Sequence, residues 1–600
     1  MLPLMRTKIN LDQTHINKFG GINLTEKRGG GELIESENMT ATNYPALSSR
    51  YNRNLCTETN RIINGICDYN GFAFTSYSED MKSIFLTFDG TDYEYTSLTD
   101  SDDFKLQRKF ATLADTILII PDNLVFSVKS RTFTKICVSE KYNSSSAHTK
   151  YKTETNGKTD LNQDTIDHIA SYTHNSITSR STTYSSSGTK TFYYMSFPSN
   201  LKQGDVITIK MNVYSNSSVD ESEFRKYSTK MNAGITVKIK SVTSTTHATA
   251  SGSVTEITGL TFEDNTIDTG GYYALRIRSI SIERGMPSLT DLCSFGNRVW
   301  GVSGKEIFTS KLADASEWND FSTDSEGTLP YACFSASAQT EGDFTAILPY
   351  GNYVYAFKQN YLHKVYGDTP DEYSIHTQNM TGVEKGMENC IVTCRDCMIY
   401  ASHDGIYVYR GSYPTKISEN IGTFGTPLAA SANENTYYLL CELDGKKVIY
   451  TYDLETRIWH KESAPDNSLL LCSCKDKTYA VEGGKIFLLN PDDNTDNDFE
   501  KSVRWRFAMR TDDKHPEKRI CGRLSLRYSL GKNSSFTVRA KYDDGRKGAV
   551  CGVQHDEADS SGCALYMPIK RCLWFELEFC GIGEFTLKSI NLKQYRGSEK

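Results

Sequence analysis

Short apolar and aromatic segments, each opened by a turn residue, recur along this chain at a spacing close to 40–50 residues. The series runs Asn70-Gly71-Phe72-Ala73-Phe74, Ala114-Asp115-Thr116-Ile117-Leu118, Asn297-Arg298-Val299-Trp300, Asn352-Tyr353-Val354-Tyr355, Asp396-Cys397-Met398-Ile399-Tyr400, Asn435-Thr436-Tyr437-Tyr438 and Asp476-Lys477-Thr478-Tyr479. From Asn297 onward, successive anchors lie 55, 44, 39 and 41 residues apart. A second strand follows several of them behind a glycine: Gly304–Phe308, Gly405–Tyr409 and Gly484–Leu488. Asp89-Gly90 and Asp444-Gly445 mark hairpin turns, which need positive φ. Units of this length with about four strands each are the mark of propeller blades. The alternative is a β-sandwich with irregular hairpins. The narrow spacing and the seven recurrences favour an all-β fold built on a seven-bladed β-propeller, with two blades before residue 136 and five after residue 289.

Long helical periodicity is nearly absent, and the 36 Tyr and 27 Phe against 14 Pro suit half-buried strands. The 600 residues then divide into an extended N-terminal arm (1–55), a first group of blades (56–137), an inserted β domain (138–286), a second group of blades (287–492) and a C-terminal β-sandwich (493–600). The arm is Gly-rich and polar, with few sites for a core of its own, and is expected to lie over a neighbouring surface. Residues 139–190 are rich in Ser, Thr and Asn and are expected to form a long surface excursion. The alternation that follows, Val206 to Asn212, Ile235 to Ser241 and Leu275 to Ser281, predicts a small inserted β-sandwich. Insertion at a surface loop is tolerated where the loop ends lie close together. Alternating runs such as Leu524–Tyr528, Phe536–Ala540 and Trp574–Phe579 predict the C-terminal sandwich.

The net charge of −7, from 67 basic and 74 acidic residues, argues against a large basic surface devoted to nucleic acid. No apolar run approaches the length of a membrane span, and the start MLPLMRTKIN has no signal-peptide core, so neither is expected. The 16 Cys residues are then expected to be thiols in a reducing cytosol.

Catalytic motifs are missing: there is no phosphate-binding GxxxxGK[ST] loop, no HExxH, no GxSxG and no EF-hand loop. Cys390, Cys394 and Cys397 cluster ahead of His403, but a zinc site wants a second pair of ligands, and Cys packs well in strands. Cys472 and Cys474 share one strand face, which also suits packing. Asp324, Asp343, Glu384, Asp404 and Asp453 could supply a glycosidase carboxylate pair, yet blade turns carry Asp for turn geometry alone. Ser322–Thr328 has one residue too many to match the sialidase turn repeat Ser-x-Asp-x-Gly-x-Thr, and occurs once. Trp300, Trp318, Trp459, Trp505 and Trp574 sit in or beside strands, which favours core packing over sugar stacking. Tyr184, Tyr193, Tyr194, Tyr272 and Tyr273 are compatible with subunit contacts. The sequence therefore nominates no catalytic, cofactor-binding or metal-ligating residue, and no cofactor.

Three stretches carry a resemblance. Phe19-Gly20-Gly21-Ile22-Asn23, Gly31-Glu32-Leu33, Glu37-Asn38-Met39 and Tyr44-Pro45-Ala46-Leu47-Ser48-Ser49-Arg50 resemble the opening of many bacteriophage tail and head-to-tail structural proteins. Ile282–Pro287 with Asn297–Gly301, Ile307–Lys311 and Ala313–Asn319, and then Thr381–Glu384 with Asp404–Tyr409 and Ile417-Ser418, resemble blade segments of the same proteins, as found in phages and prophages of Gram-positive gut bacteria. More remotely, the chain resembles the propeller-bearing tail nozzle and DNA-stabilisation proteins of short-tailed phages. The long Ser/Thr-rich insertion departs from that pattern.

The resemblance implies a non-enzymatic virion protein, a homo-oligomeric ring (often of six) below the portal and adaptor. Genomic DNA would pass through the channel during ejection without sequence-specific binding. It carries over no residue-level site. An arm that orders on a neighbour would lock such a ring, and a near-neutral or acidic lumen would let DNA slide. The rivals are a host-surface glycan-binding adsorption protein and a propeller-type polysaccharide hydrolase.

Overall fold

The computed structural model describes residues 11–78, 83–96, 105–136, 138–143, 149–154, 170–173, 176–179, 182–186, 189–195, 197, 201, 203–214, 229, 232–249, 252–262, 273–284, 286–321, 328–494, 500–511, 517–548, 550–555, 563–565 and 571–596. Nearly all regular structure among them is strand, and none of their helices is long and apolar enough to cross a membrane.

Seven four-stranded sheets follow one another along the chain. They span 62–95, 109–135, 291–337, 346–379, 391–416, 426–463 and 468–488. The recurrent anchor is the first hairpin turn of each sheet. Asn70, Ala114, Asn297, Gly351, Arg395 and Asp476 all hold φ between 48° and 61° there, the left-handed conformation that a two-residue hairpin turn demands. The sixth sheet solves the same turn differently: Asn433 Oδ1 accepts from the amides of Asn435 (3.2 Å) and Thr436 (2.8 Å).

The seventh sheet holds only three strands of its own segment. Its fourth is Asn54–Glu58, which pairs antiparallel with Lys485–Leu488 from Leu488↔Asn54 to Lys485↔Glu58. The boundary between arm and blades at residue 55 therefore falls inside a strand of the last sheet, a pairing that no local pattern in the sequence announces.

The chain divides into two compact units. One comprises 1–110, 342–364 and 376–600, and the other 111–341 and 365–375. In the first, the opening strands of the fourth, fifth, sixth, seventh and first sheets pack side by side in that order. Apolar cores fill the gaps: Leu348, Tyr355, Phe357 and Tyr400 between fourth and fifth, Ile399, Ile406, Tyr437 and Trp459 between fifth and sixth, and Ile63, Phe74, Val481 and Ile486 between seventh and first.

The same unit contains paired sheets built from both chain ends. Arg504–Arg510, Ser534–Tyr542 and Phe575–Ile582 belong to a five-stranded sheet, and Arg519–Leu530 and Phe585–Arg596 to a seven-stranded one. The arm supplies Glu35–Glu37 to the first, and Leu11–Ile16, Met39–Thr40 and Leu47–Ser49 to the second. Phe19, Leu33, Met39 and Leu47 are buried in the shared core beside Trp505, Phe507, Phe579 and Phe585. The arm, expected on a neighbouring surface, lies instead on its own chain. Its few apolar residues complete a core that residues 493–600 leave open.

In the second unit, the insert carries a seven-stranded and a three-stranded sheet. Its first and last strands pair, Val138↔Arg284 to Asn143↔Ser279, so its two ends leave from one place. Ile177, Ile207, Ile209, Val237, Ile239, Leu260, Phe262, Ile280 and Ile282 are among its buried residues. Much of the expected excursion is strand as well: Val138–Asn143, Thr149–Glu154, Ala170–Thr173, Ser176–Ser179 and Thr182–Ser186. Thr and Tyr favour extended backbone even where large aliphatics are scarce.

Candidate functional site

The arm runs against the outer strand of the sixth sheet, Ile458–Ser463, on either side of its own strand Glu35–Glu37. The crossing is close. The Ile22 amide donates to Trp459 O (2.8 Å) and the Asn38 amide to Lys461 O (2.9 Å). A Cβ on Gly21 would stand 2.2 Å from Trp459 O, so only glycine fits there.

Asn38 is the hub. Its φ is 57°, a conformation that Asn tolerates. Its Oδ1 accepts from Arg50 Nε (3.0 Å) and from Ser463 N (3.0 Å) and Oγ (3.1 Å), and its Nδ2 donates to Arg504 O (2.7 Å). Beneath it lies a buried ionic network. Arg50 grips Glu500 with two bonds of 2.8 Å, and Arg53 Nη2 meets Glu462 Oε2 at 2.9 Å. The Arg53 amide adds a bond of 2.8 Å to Glu500. Burial and the neighbouring Arg50 charge pull Arg53 down to about 10, against the attraction of Glu462 and Glu500. Burial opposes the Glu500 carboxylate, but the Arg50 bonds and charge outweigh it and hold its pKa below the usual range. Breaking such a pair from one side costs about 3–5 kcal/mol.

Above the network opens a polar cleft of about 670 Å³. The arm loop Thr40–Tyr44, with Arg50 and Tyr51, forms one wall, and the turns of the sixth and seventh sheets form the other. Glu434, Asp453, Glu455, Asp476 and Asp492 line it with Asn43, Asn433, Asn435 and Asn490. Asp453 closes a turn by accepting from the Thr456 amide (2.6 Å) and hydroxyl (2.7 Å), and Asp492 sits 3.4 Å from Lys477. His460 also lines the cleft, with Nδ1 held 3.1 Å from the buried Ser36 Oγ. Burial drives its pKa down to about 4, so the ring is neutral at pH 7, a hydrogen-bonding group and a poor base. Acids, amides and hydroxyls in this arrangement suit a polyhydroxylated or cationic ligand.

Of the acids that the sequence raised, only Asp453 reaches this cleft. Asp343 and Asp404 are exposed and Glu384 is half-buried, all away from it, and Asp404 accepts from the Tyr407 hydroxyl (2.7 Å). Asp324 and the near-repeat 322–327 lie outside the described residues, as do Tyr272 and the side chains of Tyr184, Tyr193, Tyr194 and Tyr273. Cys390, Cys394 and Cys397 are buried in the core between the fifth and sixth sheets, and burial pushes Cys390 and Cys394 up to about 12. His403 is exposed. Among the described residues no group of three or more His, Cys, Asp or Glu is placed to hold a metal. Cys474 Sγ donates to Asp68 Oδ1 (3.0 Å). Trp300, Trp318, Trp459 and Trp505 are buried, while Trp574 lies half-buried under the Arg510 guanidinium at 4.1 Å. Sequence reasoning missed Arg53, Glu462, His460 and Glu500 altogether. Their partners lie some 400 residues away in the chain, so no spacing marks them.

No protein-family model matches the chain, and no curated protein matches it. Among solved structures it is similar to virginiamycin B lyase from Staphylococcus aureus, at 9% identity and a TM-score of 0.33 over 74% of this chain and 100% of that one. It is also similar to Hsv2 from Kluyvelomyces marxianus, at 11% identity and a TM-score of 0.24 over 39% of this chain and 82% of that one. The N-terminal domain of Nup159 matches at 11% identity and a TM-score of 0.23, over 50% of this chain and 89% of that one. Likeness at this level carries no inference about activity.

Proposed function

We propose that the seven sheets close into one seven-bladed β-propeller, with an inserted β-sandwich-like domain and a C-terminal β-sandwich. We propose further that the protein is a structural subunit of a bacteriophage tail, a ring-forming nozzle or connector continuing the DNA channel below the portal and adaptor. The observation that carries this reading is the weaving together of the two chain ends. The arm adds four strands to the C-terminal sheets, and Asn54–Glu58 adds one to the seventh sheet, whose opening strand packs on that of the first. A chain sewn shut in this way resists being pulled apart, which is the property a conduit for pressurised DNA needs. The arm residues that resemble phage structural proteins are those that do the sewing: Phe19, Leu33, Met39 and Leu47 in the core, Gly21 and Ile22 against Trp459, and Asn38 and Arg50 at the hub.

Microscopy of intact particles with an antibody against this protein tests the assignment. Label at the tail or its junction with the head is expected, and annular assemblies are expected from the purified chain or on its portal. Absence from particles would sink the reading.

The polar cleft favours a second reading, a host-glycan adsorption site. Sedimentation of the isolated protein with purified cell walls separates the two, because a connector stays in the supernatant. If it pellets, Asn435→Ala with Asp476→Ala should release it.

A further inference from the structure

The two outer faces of the paired C-terminal sheets differ in how far their charges are paired. Residues 501–600 hold 20 Lys and Arg against 12 Asp and Glu, while residues 1–500 hold 47 against 62. On the five-stranded sheet three cations are matched, at Arg506, Arg510 and Lys541. Arg506 lies 3.1 Å from Glu35, Lys541 lies 3.2 Å from Glu576, and Arg510 pairs with the same Glu576.

On the seven-stranded sheet Arg519 pairs with Asp12 (2.7 Å), while Arg527, Lys588 and Lys593 have no such match. Leu524, Leu526, Leu587, Ile590 and Leu592 face the core, so alternation turns Arg523, Arg527 and Lys593 outward, and the exposed Lys588 stands at a bulge beside them. Arg523 is in register with Lys593, Ser525 with Asn591, and Arg527 with Ser589. The added arm strand brings Gln13 beside Lys593 and His15 beside Asn591. Among the described residues of these three strands no Asp or Glu is turned to this face, and Arg527, Lys588 and Lys593 make no ion pair. The complementary surface is present on the same molecule: Glu434, Glu455 and Asp476 are exposed at the rim of the polar cleft and unpaired.

We infer that the Arg527–Lys588–Lys593 face docks on the Glu434–Glu455–Asp476 rim of a second copy of this chain. The contact is head-to-tail: the two patches differ, so each copy keeps one of each free, and repetition closes into a ring when the rotation allows it. The inference rests on the ring reading above and supplies its contact.

The test is sedimentation velocity of the full chain across a salt series. Wild type should associate at low ionic strength and dissociate as salt rises. The triple reversal Arg527→Glu, Lys588→Glu, Lys593→Glu should weaken association by about 100-fold or more with unchanged melting, because none of these side chains enters the core. Glu434→Lys with Glu455→Lys and Asp476→Lys should do the same, and mixing the two variants should restore association. Wild type that stays monomeric at low salt and high concentration, or a triple reversal that associates like wild type, overturns the docking. Duplex DNA is the competing partner: if wild type binds it, the triple reversal does not, and neither self-associates, the face belongs to nucleic acid. Rings that survive the reversal would sink this contact and leave the ring reading standing. Salt-sensitive association that stops at closed pairs would do the opposite.

Discussion

The arm (residues 11–58) and the insert (138–284) are both polar in sequence and both short of large aliphatics over long stretches, yet they hold opposite places in the structure. The insert pairs its own first and last strands and buries its own isoleucines. The arm has no core of its own and spends its apolar residues in one formed by the other end of the chain. Composition measures how much apolar surface a segment carries. It is silent about whose core that surface completes.

The contrast breaks most directly by deletion. Excising 139–283 across the Val138↔Arg284 pair with a short Gly-Ser bridge should leave the other sheets folded and their calorimetric transition in place. Removing residues 1–53 strips four strands and the four arm side chains of the shared core, worth about 6–12 kcal/mol of apolar burial. That is comparable with the whole stability of a domain. Insoluble or protease-sensitive protein is expected, and an armless chain that melts like wild type would end the comparison.

Next in size is the ionic network. Glu500→Gln leaves Arg50 buried without its carboxylate and should cost about 3–5 kcal/mol in chemical denaturation. Lys485→Gln, at the exposed pair with Glu58 (3.1 Å), should cost less than about 1 kcal/mol.

Acid should find the same place. His460 and His363 are buried, and burial lowers both pKa values from 6.5 to about 4. Unfolding lets each take a proton, so their contribution is complete above pH 6.5 and falls away as pH drops towards 4. The loss is roughly 2–3 kcal/mol for each by pH 4. Stability measured from pH 7 to 4 should follow that slope, and His460→Gln should flatten it. One effect is purely steric: Gly21→Ala drives a methyl into Trp459 O and should cost about 1–3 kcal/mol.

Much of the repeat was legible because it is local. Each anchor is a hairpin turn, and Asn70, Asn297 and Asp476 announce left-handed backbone by residue type alone. Ala114 and Arg395 adopt the same conformation without announcing it, and only their neighbours Asp115 and Asp396 marked those turns. The closing strand Asn54–Glu58, the arm strands and the Arg50–Glu500 grip were invisible for one reason. Each joins residues more than 400 positions apart, and no periodicity spans such a gap. The cleft was half legible: Asp453 drew notice as an acid, whereas His460 and the asparagines gain meaning only once the arm lies over them.

Because Asn54 waits for Leu488 and Leu11 for Tyr595, the arm leaves the ribosome long before the strands it pairs with. At about 5–20 residues per second that wait lasts roughly half a minute to two minutes. Throughout it Phe19, Leu33, Met39 and Leu47 have no home, and the third strand of the seventh sheet lies bare once made. A nascent chain of this design is most exposed to rival edges, those of its own siblings on the same message included, until those partner strands are made.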